Sequence, residues 1–132
     1  LTVYRHAQQL LDFLDELQAA GVYVINSAVF NSGFLVGGQY LDYQEIDPGS
    51  SPAPFRWRDR FFDLCRRYGV SPAAACVEFG SAPASVSSVA MNTTRPDRII
   101  QNVRAIESRA PAEFWKHMLR EGLVSVTPEQ LR

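Results

Sequence analysis

Val86-Ser87-Ser88-Val89-Ala90-Met91-Asn92-Thr93-Thr94-Arg95-Pro96-Asp97-Arg98-Ile99-Ile100-Gln101-Asn102 reads as a short buried strand opening into a helix. Its first half is β-branched or small, the composition of a parallel strand covered on both faces. The second half carries helix-start chemistry: Thr94 as cap, Pro96 in the first turn, and Asp97 three residues after the cap. A strand end that feeds a helix start gathers free backbone N–H groups and the positive end of a dipole, and so attracts anions. Thr93 and Thr94 add hydroxyls, Arg98 a guanidinium one turn in, and Asn102 a donor and an acceptor on the same helical face. A phosphate at the helix mouth, with a flat heterocycle over Arg98 and Asn102, would use them all. A capping box beside a solvated arginine accounts for the same residues without a ligand, so this junction alone does not identify a site.

Upstream, Leu10, Phe13, Leu14 and Leu17 recur at helical spacing from Arg5 to Ala20, and Gly21 supplies a stop. Val22 to Ala28 then reads as a buried strand. The stretch from Val29 through Pro54, rich in Gly, Pro, Ser and Asp, reads as a long lid or binding loop or, around Pro48 to Pro54, as disorder. Trp57, Phe61, Leu64, Cys65 and Tyr68 mark one face of a second helix closed by Gly69. A third has Ser71 as cap, Pro72 in its first turn and Gly80 as its end. The helix after Pro96 carries Ile99, Ile100, Val103 and Ile106. Pro111 opens a short helix that Gly122 stops, and Thr127-Pro128-Glu129 looks like a further start. Helices alternating with strands in this order imply an α/β fold with parallel strands.

The 132 residues carry a net charge of −1 and no basic stripe. Arg56, Arg58, Arg60, Arg66 and Arg67 alternate with aromatics and acids, so nucleic acid is not an expected partner. No apolar run approaches the ~20 residues that span a bilayer, and no membrane partner or leader is expected, which points to a cytoplasmic protein. Cys65 and Cys76 lack metal-ligand spacing and read as buried free thiols. His6 and His117 read as isolated residues at helix ends or surfaces, without catalytic partners. No metal site is expected.

Two strands are too few for a parallel sheet covered on both faces, and the length is about half of the ~250 residues of a (β/α)8 barrel. A fragment is therefore expected. Gly21 through Leu35 resembles the seventh strand and following loop of the aldo-keto reductases. Thr93-Thr94-Arg95-Pro96-Asp97-Arg98 through Asn102 resembles their eighth strand-to-helix junction. Ser71 to Phe79 is similar to the helix before that junction, and Pro111 to Trp115 to the closing helix. The likeness covers nearly the whole chain and is nearest to the L-fucose and D-threo-aldose dehydrogenase branch. It implies that residues 1–132 form the C-terminal part of a TIM barrel, from the helix before strand seven to the last helix.

The resemblance further implies an NADP- or NAD-dependent oxidoreductase that interconverts a sugar or aldehyde with its alcohol or lactone. In that pattern Thr93 contacts the adenosine 2′-phosphate or ribose, Arg98 packs on adenine and meets that phosphate, and Asn102 hydrogen-bonds adenine. Ser27, Phe30 and Ser32 line nicotinamide and pyrophosphate, Gly33 lets backbone approach closely, and Asn26 and Ala28 stand one register step away as further candidates. Asn92 departs from the lysine of many NADP-using members, which leaves NAD open. The family's catalytic tyrosine, lysine, aspartate and histidine sit on its first strands, so no catalytic residue is expected here, and Tyr23, Tyr40, Tyr43 and Lys116 do not fill those roles. Two alternatives remain: a non-catalytic cofactor-binding or regulatory module of the same fold, and a different barrel whose last junction binds only a substrate phosphate.

Overall fold

Residues 1–93 and 95–132 are described by the computed structural model, so the Thr94 cap lies outside the described residues. Helix α1 (Gln8–Ala19) buries Leu11 and Leu14 and ends before Gly21, whose φ is +75°. It starts later than the apolar spacing predicts because Thr2 and Arg5 exchange backbone hydrogen bonds of 3.0 and 3.1 Å in a separate turn. Strand β1 (Ile25–Asn26) follows.

The segment read as one open loop is organised instead. It holds a 3-10 turn at Phe34–Val36 and a hairpin of β2 (Tyr40–Leu41) and β3 (Gln44–Glu45). It ends where helix α2 (Pro52–Tyr68) begins. Proline fits a first helical turn, since its missing N–H has no partner there anyway, and Pro52 and Pro54 thus start a helix where disorder was expected. Gly69, at φ +65°, closes α2 as predicted.

Helix α3 (Pro72–Gly80) is capped by Ser71, whose hydroxyl accepts from Ala74 N at 3.4 Å. The helix ends at Gly80 as expected, though not because the residue is left-handed. Gly80 is the last helical residue, with Ser81 as cap, and it is small because a Cβ there would overlap Val29 Cγ1 and approach Asn26 Nδ2 to 3.0 Å. Strand β4 (Ser88–Val89), α4 (Asp97–Glu107), α5 (Ala112–Arg120) and α6 (Pro128–Leu131) complete the order. Gly122, at φ +65°, follows α5, and Thr127 with Gln130 forms a capping box on α6.

β1 and β4 pair in parallel with Ile25 opposite Ser88 and Asn26 opposite Val89. The predicted strands, 22–28 and 86–91, are longer than these ladders because each strand has only the other as partner among the described residues. Nor are they covered on both faces. Asn26 is buried against Gly80, whereas Tyr23 is 86% and Ile25 62% exposed. Helices cover one face only.

The main core lies away from these strands. Phe34, Phe61, Phe79, Phe114 and Met118 are fully buried between α2, α3, α5 and the 3-10 turn, each contributing about 1.5–3 kcal/mol. A smaller cluster of Val29, Ala74, Val77 and Ala105 joins the segment after β1 to α3 and α4. Ile99, Ile100, Val103 and Ile106 of α4 are exposed, contrary to an apolar face turned to a core. Both cysteines are free and buried; burial pushes the Cys65 thiol up to about 12 and that of Cys76 well above its ordinary value. Among the described residues no helix is long and apolar enough to cross a membrane, and no cluster of His, Cys, Asp and Glu is placed to hold a metal.

Candidate functional site

Because β1 and β4 run side by side, the segments leaving their C-terminal ends meet. Between them lies a cleft of about 850 Å³, within the range of small-molecule sites. Ser27, Phe30, Ser32 and Gly33 line it from the β1 side, and Asn92, Thr93, Arg98 and Asn102 from the β4 side. The two groups lie some sixty residues apart in sequence, and the parallel pairing brings them to one opening. Ala28 also lines it. Asn26 does not: it is buried, and its amide donates to Leu1 O at 2.8 Å and Gly80 O at 2.9 Å, holding the strand end onto the helices.

After β1 the chain turns with Asn31, Ser32 and Gly33 at φ +45°, +58° and +90°. Leu35 N and Gly33 N both donate to Phe30 O, at 3.2 and 3.0 Å, which closes the turn around Phe30. Gly33 meets its conformational requirement with nothing within 4 Å of where a Cβ would stand, so backbone is open to the cleft. Arg58 of α2 fixes the far end of this loop. Its guanidinium lies 4.3 Å from the Phe34 ring centroid and donates to Gly38 O at 2.6 Å.

On the β4 side the Thr93 hydroxyl is engaged with Arg95, accepting from its N at 3.1 Å and donating to its O at 3.3 Å. Arg95 pairs with Asp97 at 2.7 Å, and this hydrogen bond holds the Asp97 carboxyl below the usual carboxylate range. The charge of Arg98 also helps to lower the Asp97 carboxyl, and Asn102, one turn on, shares its face. The N-termini of α3 and α4 both border the cleft, through Ser71 to Ala73 and through Arg95 and Arg98. Two arginines line it, with no acidic residue among the described lining. The helix dipoles and Arg98 favour an anion such as a phosphate, while the charge of Arg95 is offset by Asp97.

Several lining residues were not singled out from sequence. Arg95 stood inside the quoted junction but was passed over for Arg98, and Ser71-Pro72 was read as a helix start without a link to the strand ends. Tyr40 and Tyr43 reach the cleft through the hairpin, whose two-residue Asp-Tyr turn lacks the glycine that usually marks one. The histidines are also less isolated than expected. His117 Nδ1 lies 3.0 Å from Tyr68 Oη, and His6 Nε2 accepts from Ser125 N at 3.0 Å. Neither lines the cleft.

Residues 1–120 match the sequence model of the Aldo/keto reductase family. The chain is 36% identical over 118 residues to a pyridoxal 4-dehydrogenase of Microbacterium luteolum, covering 86% of this chain and 33% of that protein. It is 28% identical over 102 residues to a D-threo-aldose 1-dehydrogenase of Pseudomonas sp, covering 76% of this chain and 31% of that protein. The chain thus spans about a third of the length of these curated relatives, in their C-terminal part.

Proposed function

This chain belongs to the aldo/keto reductase family, and from that premise we propose that its cleft holds the nicotinamide dinucleotide, NADP or NAD, of a (β/α)8-barrel oxidoreductase. The observation that carries this reading is the convergence of two distant segments, two helix N-termini and Arg98 on one cleft. The residues fit the group. Arg98 and Asn102 would hold the adenine end with Thr93, while Ser27, Ser32 and the open backbone at Gly33 would take the pyrophosphate and nicotinamide side over Phe30. When bound, the dinucleotide supplies or accepts a hydride. The residues of this chain bind, orient and shield it.

The substrate in this reading is a small carbonyl compound or sugar, interconverted with its alcohol or lactone. The groups that move the proton lie outside residues 1–132. In support, the single lysine of the chain, Lys116, sits on α5 paired with Glu113 at 2.7 Å and does not line the cleft. Calorimetric titration of the complete protein with NADP+ and NAD+ tests the proposal. Arg98→Ala should weaken binding by about 1–3 kcal/mol if its charged hydrogen bonds are made. A dissociation constant unchanged by Arg98→Ala would reduce Arg98 to a surface charge and remove the adenine assignment.

A further inference from the structure

The β2–β3 hairpin presents an aromatic side chain where its turn disfavours one. Its two central residues, Asp42 and Tyr43, have φ of +50° and +64°, the left-handed geometry for which Asn-Gly or Asp-Gly is strongly preferred. A tyrosine at the second position is strained in a way glycine is not. Such strain persists only where surrounding contacts over-determine it, and it clusters at ligand-clamping sites. The contacts are present. Asn31 Oδ1 accepts from Asp42 N and Ser32 Oγ from Tyr43 N, both at 2.9 Å, while Leu41 is buried in the main core and Arg5 pairs with Asp42 at 2.8 Å.

The effect of these bonds is to hold the Tyr43 backbone at the cleft wall, where its side chain is left 85% exposed. The backbone is fixed while the ring itself is unpacked, so it contributes little to the core and is open to whatever enters the cleft. Ser32 links the two functions. Its oxygen accepts the Tyr43 N–H, and its own O–H remains available to donate to an anion in the cleft. Ligand contact and ring placement therefore meet at one hydroxyl.

We propose that Tyr43 is a cofactor-contacting residue whose ring packs against the bound dinucleotide, with Asn31 and Ser32 as the residues that position it. The inference rests on the reading of the cleft as a nicotinamide dinucleotide site. Tyr43→Gly and Tyr43→Phe, made in the complete protein beside Arg98→Ala, test it by titration with NADP+ and NAD+ and by thermal unfolding. Tyr43→Gly should raise the dissociation constant about tenfold, the scale of one lost aromatic stacking contact. Its unfolding midpoint should hold or rise, since glycine relieves the turn. Tyr43→Phe should bind within about twofold of the unsubstituted protein, because the ring and not the hydroxyl makes the contact.

Unchanged binding by Tyr43→Gly alongside weakened binding by Arg98→Ala would overturn this inference and leave the cofactor reading standing. Loss of binding by Tyr43→Phe equal to that of Tyr43→Gly would overturn it as well. So would a fall in the unfolding midpoint that accounts for the lost affinity, since Tyr43 would then be structural. Absence of binding by the unsubstituted protein would remove both readings together.

Discussion

Asn92 contributes an uncharged amide to the cleft beside Thr93. If the adenosine 2′-phosphate lies there, one added positive charge should alter the choice between the two dinucleotides. Asn92→Lys is expected to shift the ratio of dissociation constants toward NADP+ by about fivefold, on the order of 1 kcal/mol for a solvent-exposed ion pair. A ratio that does not move places the 2′-phosphate elsewhere. His6 makes a different kind of residue-scale prediction. It is half-buried against the Phe79 ring, 5.0 Å between centroids, and burial lowers its pKa from 6.5. Its Nε2 accepts from Ser125 N, so folding requires the neutral ring. A lowered folded-state pKa means that the unfolded chain binds more protons around and below 6.5, so the stability His6 contributes is complete above that pH and is lost as pH falls from there through the lower folded-state value. His6→Gln keeps an acceptor without a titration. Its unfolding midpoint should therefore fall less than that of the unsubstituted protein between about pH 7.5 and 5.5.

Among the elements, α3 borders the cleft at its start and packs against the β1 segment at its end. Gly80 lets its last turn lie against Val29 and Asn26 at the base of the β1 segment. Gly80→Ala would gain up to about 1 kcal/mol of helix propensity and lose about 1–3 kcal/mol to overpacking, so a net destabilisation is expected in chemical denaturation. A more stable variant would show that Val29 can yield. The same glycine marks where sequence reading stops. As punctuation it signals a helix end, and at Gly21, Gly69 and Gly122, all left-handed, that reading holds. At Gly80 the cause is a neighbour distant in sequence, invisible to local rules. The helices from Ser71 and Pro111 were legible because cap and proline signals are local, as was the junction at Arg98. The exposure of Ile99 and Ile100, and the hairpin that brings Tyr43 to the cleft, depend on what lies across space. Pro52 and Pro54 misled because proline both begins helices and fills loops.

For the whole molecule, the two-stranded sheet leaves β1 and β4 each with one unpaired edge among the described residues; Tyr23 and Ile25 are exposed there, as are Ile99 and Ile100 on α4. Apolar edges and faces of this kind pair with other chains. Residues 1–132 expressed alone should associate and should not reduce a carbonyl, and co-expression with a polypeptide supplying the remaining strands of the barrel should restore a discrete species with turnover. Size-exclusion chromatography with a cofactor-oxidation assay decides this. A monodisperse monomer that turns over by itself would mean that the proton-transferring groups lie within this chain after all. The buried thiols of Cys65 and Cys76 give the helical layer a clock of its own. With their pKa values raised, almost no thiolate is present in the folded state near neutral pH, so an alkylating reagent counts opening events and little else. The labelling rate, followed with and without dinucleotide, then reports how far cooperativity extends. Protection that grows with dinucleotide concentration would make the cleft and the α2–α3 layer one opening unit, whereas a rate indifferent to dinucleotide would make the cleft a rim that breathes over a separately stable base.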